Sequence, residues 1–315
     1  MLATVIARPA FRADDGELVS TPEFVWPVGR QPAPTPYGTW AADVPFLTGG
    51  IDLMVMGSLW QPGAREGTEL TAEIRIGERF LRRIAVFGDR RWTRQDAALV
   101  PSAPMPFVSM PLSYERAFGG RTATGSGDCA WPPNPAGAGF YLTAEEAEGK
   151  PLPNLEDPEH RIATIEDRPD PMATGPYPGE GSLRVTNAVD LDLESGNPGI
   201  KRIQPLVFNR AHPRMILAPA NTPLPGELVE ITHASERGSL RFRMPELEFH
   251  AHVHLEHRNY FFPLHLDQIV VLLEEQRVVL GYRVAFKYRL VKGERRNVML
   301  RQGPVPEGQI AVTQI

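Results

Sequence analysis

Cysteine is almost missing from this chain: Cys129 is the only one, so no intramolecular disulfide can form. That argues against a small secreted fold framed by paired thiols. Long hydrophobic runs are missing too, since no stretch approaches the roughly 18 uninterrupted apolar residues that a membrane-spanning helix requires. The opening stretch carries Arg8, Arg12, Asp14, Asp15 and Glu17, which leaves no place for the apolar core of a signal peptide. These absences predict a soluble, cytoplasmic protein. Positive charge is not in excess either: the formal net charge is -5 and the pI about 5.9. A general field for nucleic acid or anionic lipid is therefore not expected. No G-x-G-x-x-G or Walker-type phosphate loop and no repeat period occurs, so nucleotide-binding and solenoid folds have no support.

Proline, by contrast, is abundant: 32 of 315 residues, about twice the usual roughly 5%. Long helices are disfavoured, and short alternating runs closed by glycine or proline predict a mainly β fold of antiparallel sheets, sandwich-like or barrel-like, with little helix. From residue 1 to about 120 the clearest signal is Leu70, Ala72, Ile74 and Ile76 alternating with polar residues. A Gly77-Glu78 turn and a second run, Phe80 to Phe87, follow. This predicts a hairpin with one buried face. Ile51 to Trp60 is continuously apolar, as a central strand buried on both faces would be.

Residues 121–200 differ. They hold 11 Pro, 10 Gly and 14 acidic against 5 basic residues, a formal -9 that leaves +4 for the rest of the chain. The segment reads as a loop-rich insertion whose charge would steer a basic partner surface. Its one helical signature is the capping box from Thr143 to Glu146, stopped by Gly149. From 201 to 315 strands return: Leu228 to His233, Leu240 to Met244, Leu247 to Leu255, and the antiparallel pair Ile269 to Leu273 and Val278 to Phe286. The three stretches are expected to form one compact unit.

Catalytic chemistry finds little support. His250, His252 and His254 stand at period 2 on one strand face, where neighbouring imidazoles, with Glu248 or Glu256, are candidate metal ligands. The opposite face, Leu247 to Leu255, is wholly apolar, which favours reading the histidines as a solvated outer face and predicts no metal and no cofactor. Cys129 has no histidine or helix start beside it in sequence, and no serine sits in G-x-S-x-G. Carboxylate pairs such as Glu156-Asp157 and Glu166-Asp167 are too numerous to identify a catalytic pair.

More specific are Met110 to Gly120, which contains Tyr114, Glu115, Arg116, Phe118, Gly119 and Gly120, and the block Asn134, Pro135, Ala136, Gly137, Ala138, Gly139, Phe140. Together they resemble domain-of-unknown-function family 2169, bacterial proteins associated with type VI secretion. Weaker matches keep the order: Phe11 with Asp15-Gly16, Asp52 to Gly57, Val86 to Trp92, Leu152 to Glu156, Val207 to Ala211, Gly226-Glu227 and Met244-Pro245. The chain departs from the family's pattern in lacking a tryptophan-containing stretch between about 160 and 200, and in carrying Leu47 where a lysine is common.

The resemblance implies a non-enzymatic adaptor or chaperone. Such a protein binds the PAAR-containing N-terminal region of a secreted effector and helps mount it on the VgrG spike, with no role for nucleic acid or membrane. The motif residues from Tyr114 to Phe140 are then structural or client-binding, with Arg116 expected to tie loop carbonyls or a carboxylate together. The alternatives are a metal-dependent enzyme and a structural part of the secretion apparatus. Bound metal with turnover would mark the first, and constant presence in assembled particles the second.

Overall fold

The structure, a computed structural model, describes residues 2–44, 46–124, 127–177, 189–192, 199–203, 205–255, 258–287 and 296–309. Strands account for 49% of the chain and helix for 8%, so the fold is mainly β, with open sheets rather than a closed barrel among the described residues.

Two large sheets organise it. The seven-stranded sheet runs Ile216–Leu217, Ile51–Met56, His265–Leu272, Arg277–Lys287, Ala10–Asp14, Glu17–Ser20, and Leu2–Ala7 also pairs with Arg277–Lys287. Ile51–Met56 is buried at every position, as its continuous apolar run predicts. It lies parallel to His265–Leu272, although all other pairings in this sheet are antiparallel. The predicted strand ends early: Gly57 (φ +125) breaks it, and Ser58–Trp60 leaves to pair elsewhere. The five-stranded sheet runs Leu155–Glu156, Phe80–Phe87, Glu69–Ile76, Leu228–Ser235, Gly238–Arg243. Its centre is the hairpin read from the sequence, in register Ile76 to Phe80, with Ala72, Ile74, Ile76, Ile84 and Val86 on the buried face.

Residues before 120 and after 201 thus contribute to both sheets, and their apolar faces share one continuous core. The predicted antiparallel pair near the end of the chain is present as His265–Leu272 and Arg277–Lys287. A smaller sheet carries Phe249–Leu255 between Arg258–Pro263 and Arg296–Gln302.

The middle segment is anchored rather than draped. Leu155–Glu156 pairs with Phe80–Phe87, and Trp92, Phe118, Phe140, Ala147, Leu152 and Ile162 form a second apolar cluster beneath it. The capping box gives a single turn, Ala144–Ala147, where Thr143 Oγ1 accepts from the Glu146 N–H at 3.2 Å. Residues 125–126, 178–188 and 193–198, within the insertion read from the sequence, lie outside the described residues.

Candidate functional site

The Pro111-to-Phe140 block closes around one amide. Ser109–Pro111 pairs with Ser58–Trp60, a tight turn follows at Tyr114–Arg116, and Phe118–Gly119 pairs in parallel with Ala138–Gly139. Asn134 is fully buried, and its Nδ2 donates to Tyr114 O at 2.8 Å and Phe118 O at 3.0 Å. Its own carbonyl accepts from Gly120 N at 2.8 Å and Gly137 N at 3.3 Å. The glycines are a packing requirement: Gly119 sits at φ +150, and a side chain there would collide with the Asn134 carbonyl. At Gly137 a Cβ would meet Ala117 O at 2.5 Å. Half-buried Pro135 continues the turn, and Gly139 sits at φ +100 beside Phe118. Phe118 and Phe140 lie 5.7 and 5.6 Å from the Trp131 ring, and Tyr114 is buried as expected.

Arg116 is less central than its donor count suggests. It donates to Asp89 Oδ1 at 3.2 Å and Asn154 Oδ1 at 3.1 Å, but its side chain is 42% exposed. The clamp exists, and its buried part belongs to Asn134. Asn154 adds to it, donating to Phe87 O at 3.0 Å and Asp89 Oδ1 at 3.1 Å.

Four carboxylates of the middle segment, Glu148, Glu156, Asp157 and Asp170, pair with arginines. Buried Glu156 pairs with buried Arg90 and accepts from the Ile162 N–H. Asp157 and Asp170 pair with Arg214, Glu148 with Arg94, and Asp167 accepts from Ala163 N and Thr164 N at 2.8 Å each. Glu156 is therefore structural, while Asp128, Glu145, Glu159 and Glu166 are exposed.

A second polar knot joins other matched residues. Asp52, fully buried, accepts from Asn209 Nδ2 at 2.9 Å, Arg210 N at 2.9 Å and Ala211 N at 3.1 Å. Burial raises its carboxyl while these donors pull the other way. Beside it Asp43 gathers the guanidinium groups of Arg8, Arg210 and Arg283. Burial alone would raise Asp43, but the Arg8 hydrogen bond and charge hold it below the usual carboxylate range. Arg210 is itself lowered to about 10, by burial first.

Between the motif block and the Leu273–Gln276 turn lies an open groove of about 380 Å³. Pro111, Leu112, Ser113, Tyr114 and Glu115 form one wall, Met56 and Gly57 the floor, and Gly175, Pro176, Tyr37 and Glu274 the far side. Both walls hang from the same short segment: Leu112 N donates to Gly57 O and Leu273 N to Met56 O, each at 2.9 Å. Gly57 is needed here as well, because a side chain would strike the Glu274 carboxylate. The Tyr37 hydroxyl reaches Glu274 Oε2 at 3.0 Å and also contacts Glu275 Oε2. Burial, then the two glutamates, push that phenol up, so it stays neutral. Sequence reasoning missed this groove, because Glu274-Glu275 sits in the short polar connection between two strongly apolar strands and nothing in sequence ties Tyr37 to it.

The histidine face is not uniformly solvated. His250 is 6% exposed, and its Nδ1 contacts Gly303 O at 2.9 Å. His252 is half-buried and stacks on Phe261 with centroids 4.6 Å apart, while His254 is exposed. His252 Nε2 and His254 Nδ1 converge on Asn259 Oδ1 at 2.8 Å each. With Asn259 Oδ1 as acceptor, His252 donates through Nε2 and His254 through Nδ1, which engages one nitrogen of each ring in a hydrogen bond. Glu248 is exposed, and Glu256 lies outside the described residues. Cys129 is half-buried in the hairpin of Arg121–Thr124 and Gly127–Ala130, against the second apolar cluster.

Among the described residues no helix is long and apolar enough to cross a membrane. A family model described as "Uncharacterized protein conserved in bacteria (DUF2169)" matches residues 2–283. No curated protein and no solved structure matches the chain.

Proposed function

The chain belongs to the DUF2169 family, and from that premise we propose that it is a non-enzymatic adaptor, a chaperone that holds a type VI secretion effector by its PAAR-containing N-terminal region and helps load it on the VgrG spike in the cytoplasm. One observation carries the reading: Pro111 to Glu115, the start of the block that bears the family resemblance, line an open groove together with Met56 and Gly57. Loops fixed on a rigid scaffold are where binding function concentrates. The Asn134 knot supplies that fixation, leaving Pro111 and Glu115 exposed at the groove.

The test is co-expression with a PAAR-containing effector region encoded beside this protein, followed by purification through the effector. A stable complex that also binds VgrG supports the adaptor. Recovery of the effector region alone, well folded and free of this chain, contradicts it. A metal-dependent enzyme would instead show stoichiometric metal lost on replacing His250, His252 and His254.

A further inference from the structure

The groove has a specific deficit of hydrogen. Tyr37 carries one O–H, yet two carboxylate oxygens, from Glu274 and Glu275, lie within its reach. One O–H serves one acceptor, so the second carboxylate faces a lone pair. Glu115 and Glu274 are the carboxylates that line the groove, Glu275 stands behind the Tyr37 hydroxyl, and among the described residues lining the groove there is no lysine, arginine or histidine. Other clefts differ: the one around Asp157 is lined by Arg161, Arg168 and Arg214, and the one over Asp267 contains Arg283.

We propose that the groove receives an arginine side chain from an extended segment of the bound protein, its alkyl stem along Met56, Leu112 and Pro176 and its guanidinium between Glu274 and Glu115. The partner's identity rests on the adaptor reading; the chemistry rests on the groove. Arginine fits better than lysine because its planar fork carries five donors, enough to serve several carboxylate oxygens at once. Its stem can lie on apolar surface while the head stays at the wet rim. The receptor backbone is already shaped, since Gly57 leaves room for the Glu274 carboxylate and its carbonyl holds Leu112, so little backbone ordering cost falls on binding.

The experiment pans a random peptide display library on the full protein, then compares one selected peptide with its copy in which arginine is replaced by citrulline, a neutral isostere. Enrichment of arginine beside apolar residues is expected, with about tenfold weaker binding of the citrulline copy. On the double variant Glu115→Gln, Glu274→Gln the two peptides should bind within about twofold of each other, at an unchanged melting midpoint. Selected peptides without arginine, no enrichment at all, or an undiminished citrulline effect on the double variant each overturn the inference. Arginine-dependent binding by a protein that captures no effector would keep the groove's chemistry and remove the adaptor role. Effector capture that ignores the double variant would do the reverse.

Discussion

The two polar knots solve one problem with opposite chemistry. Around Asn134 a neutral amide ties loop carbonyls together, and glycines let the backbone approach it. Around Asp43 three guanidinium groups converge on one carboxylate, beside the Asp52 cage that pins Asn209, Arg210 and Ala211 to the strand Ile51–Met56. A buried neutral amide whose Nδ2 donors are both used fixes shape at modest electrostatic cost, although Asn134 Oδ1 has no hydrogen-bond partner among the described residues, whereas a buried charge cluster holds only while every partner is present. The first suits a loop block that must keep one outline for recognition. The second joins segments far apart in the chain and is sensitive to loss of any member.

That contrast can be broken at several points. Asp43→Ala leaves Arg8, Arg210 and Arg283 without their shared anion and should cost about 3 to 5 kcal/mol in urea unfolding. Acid should act next. His212 is buried, accepts from the Arg214 N–H through Nδ1, and is lowered to about 4 by burial, then by Arg82. Its folded value lies below the unfolded 6.5, so stability falls as pH drops from about 6.5 to about 4 and levels off below. The loss is roughly 3 kcal/mol, and His212→Gln should flatten that limb relative to the parent.

Asn134→Ala strips the donors from two buried carbonyls and should cost about 2 kcal/mol, lowering both the melting midpoint and effector capture. Arg116→Ala should cost less than about 1 kcal/mol, because that pair is largely open to water. If Arg116→Ala proves the more damaging of these two, the Asn134 knot is not what holds the block.

Much of the fold was legible where the residue pattern is local. Period-2 alternation marked the Glu69–Ile76 and Phe80–Phe87 hairpin, and the apolar run marked Ile51–Met56. What escaped is nonlocal: the pairing of Glu69–Ile76 with Leu228–Ser235, and the parallel neighbour of Ile51–Met56, depend on segments more than a hundred residues away. At the motif block, counting donors pointed to Arg116, although an asparagine followed by spaced glycines and preceded by Gly119-Gly120 is the better sign of a backbone clamp. The charge of the middle segment is only partly legible for a related reason. Composition counts carboxylates but not their partners, and Glu156 and Asp157 have theirs within the fold.

The most direct test is hydrogen–deuterium exchange of the protein alone and bound to the effector's PAAR-containing region. The adaptor reading predicts slowed exchange at Leu112–Glu115, Gly175 and Glu274–Gln276, the segments around the groove, with the Asn134 knot already slow in the free protein. Slowing confined to the Arg296–Gln302 strand or to the cleft at Asp157 and Arg214, with the groove unchanged, would contradict it.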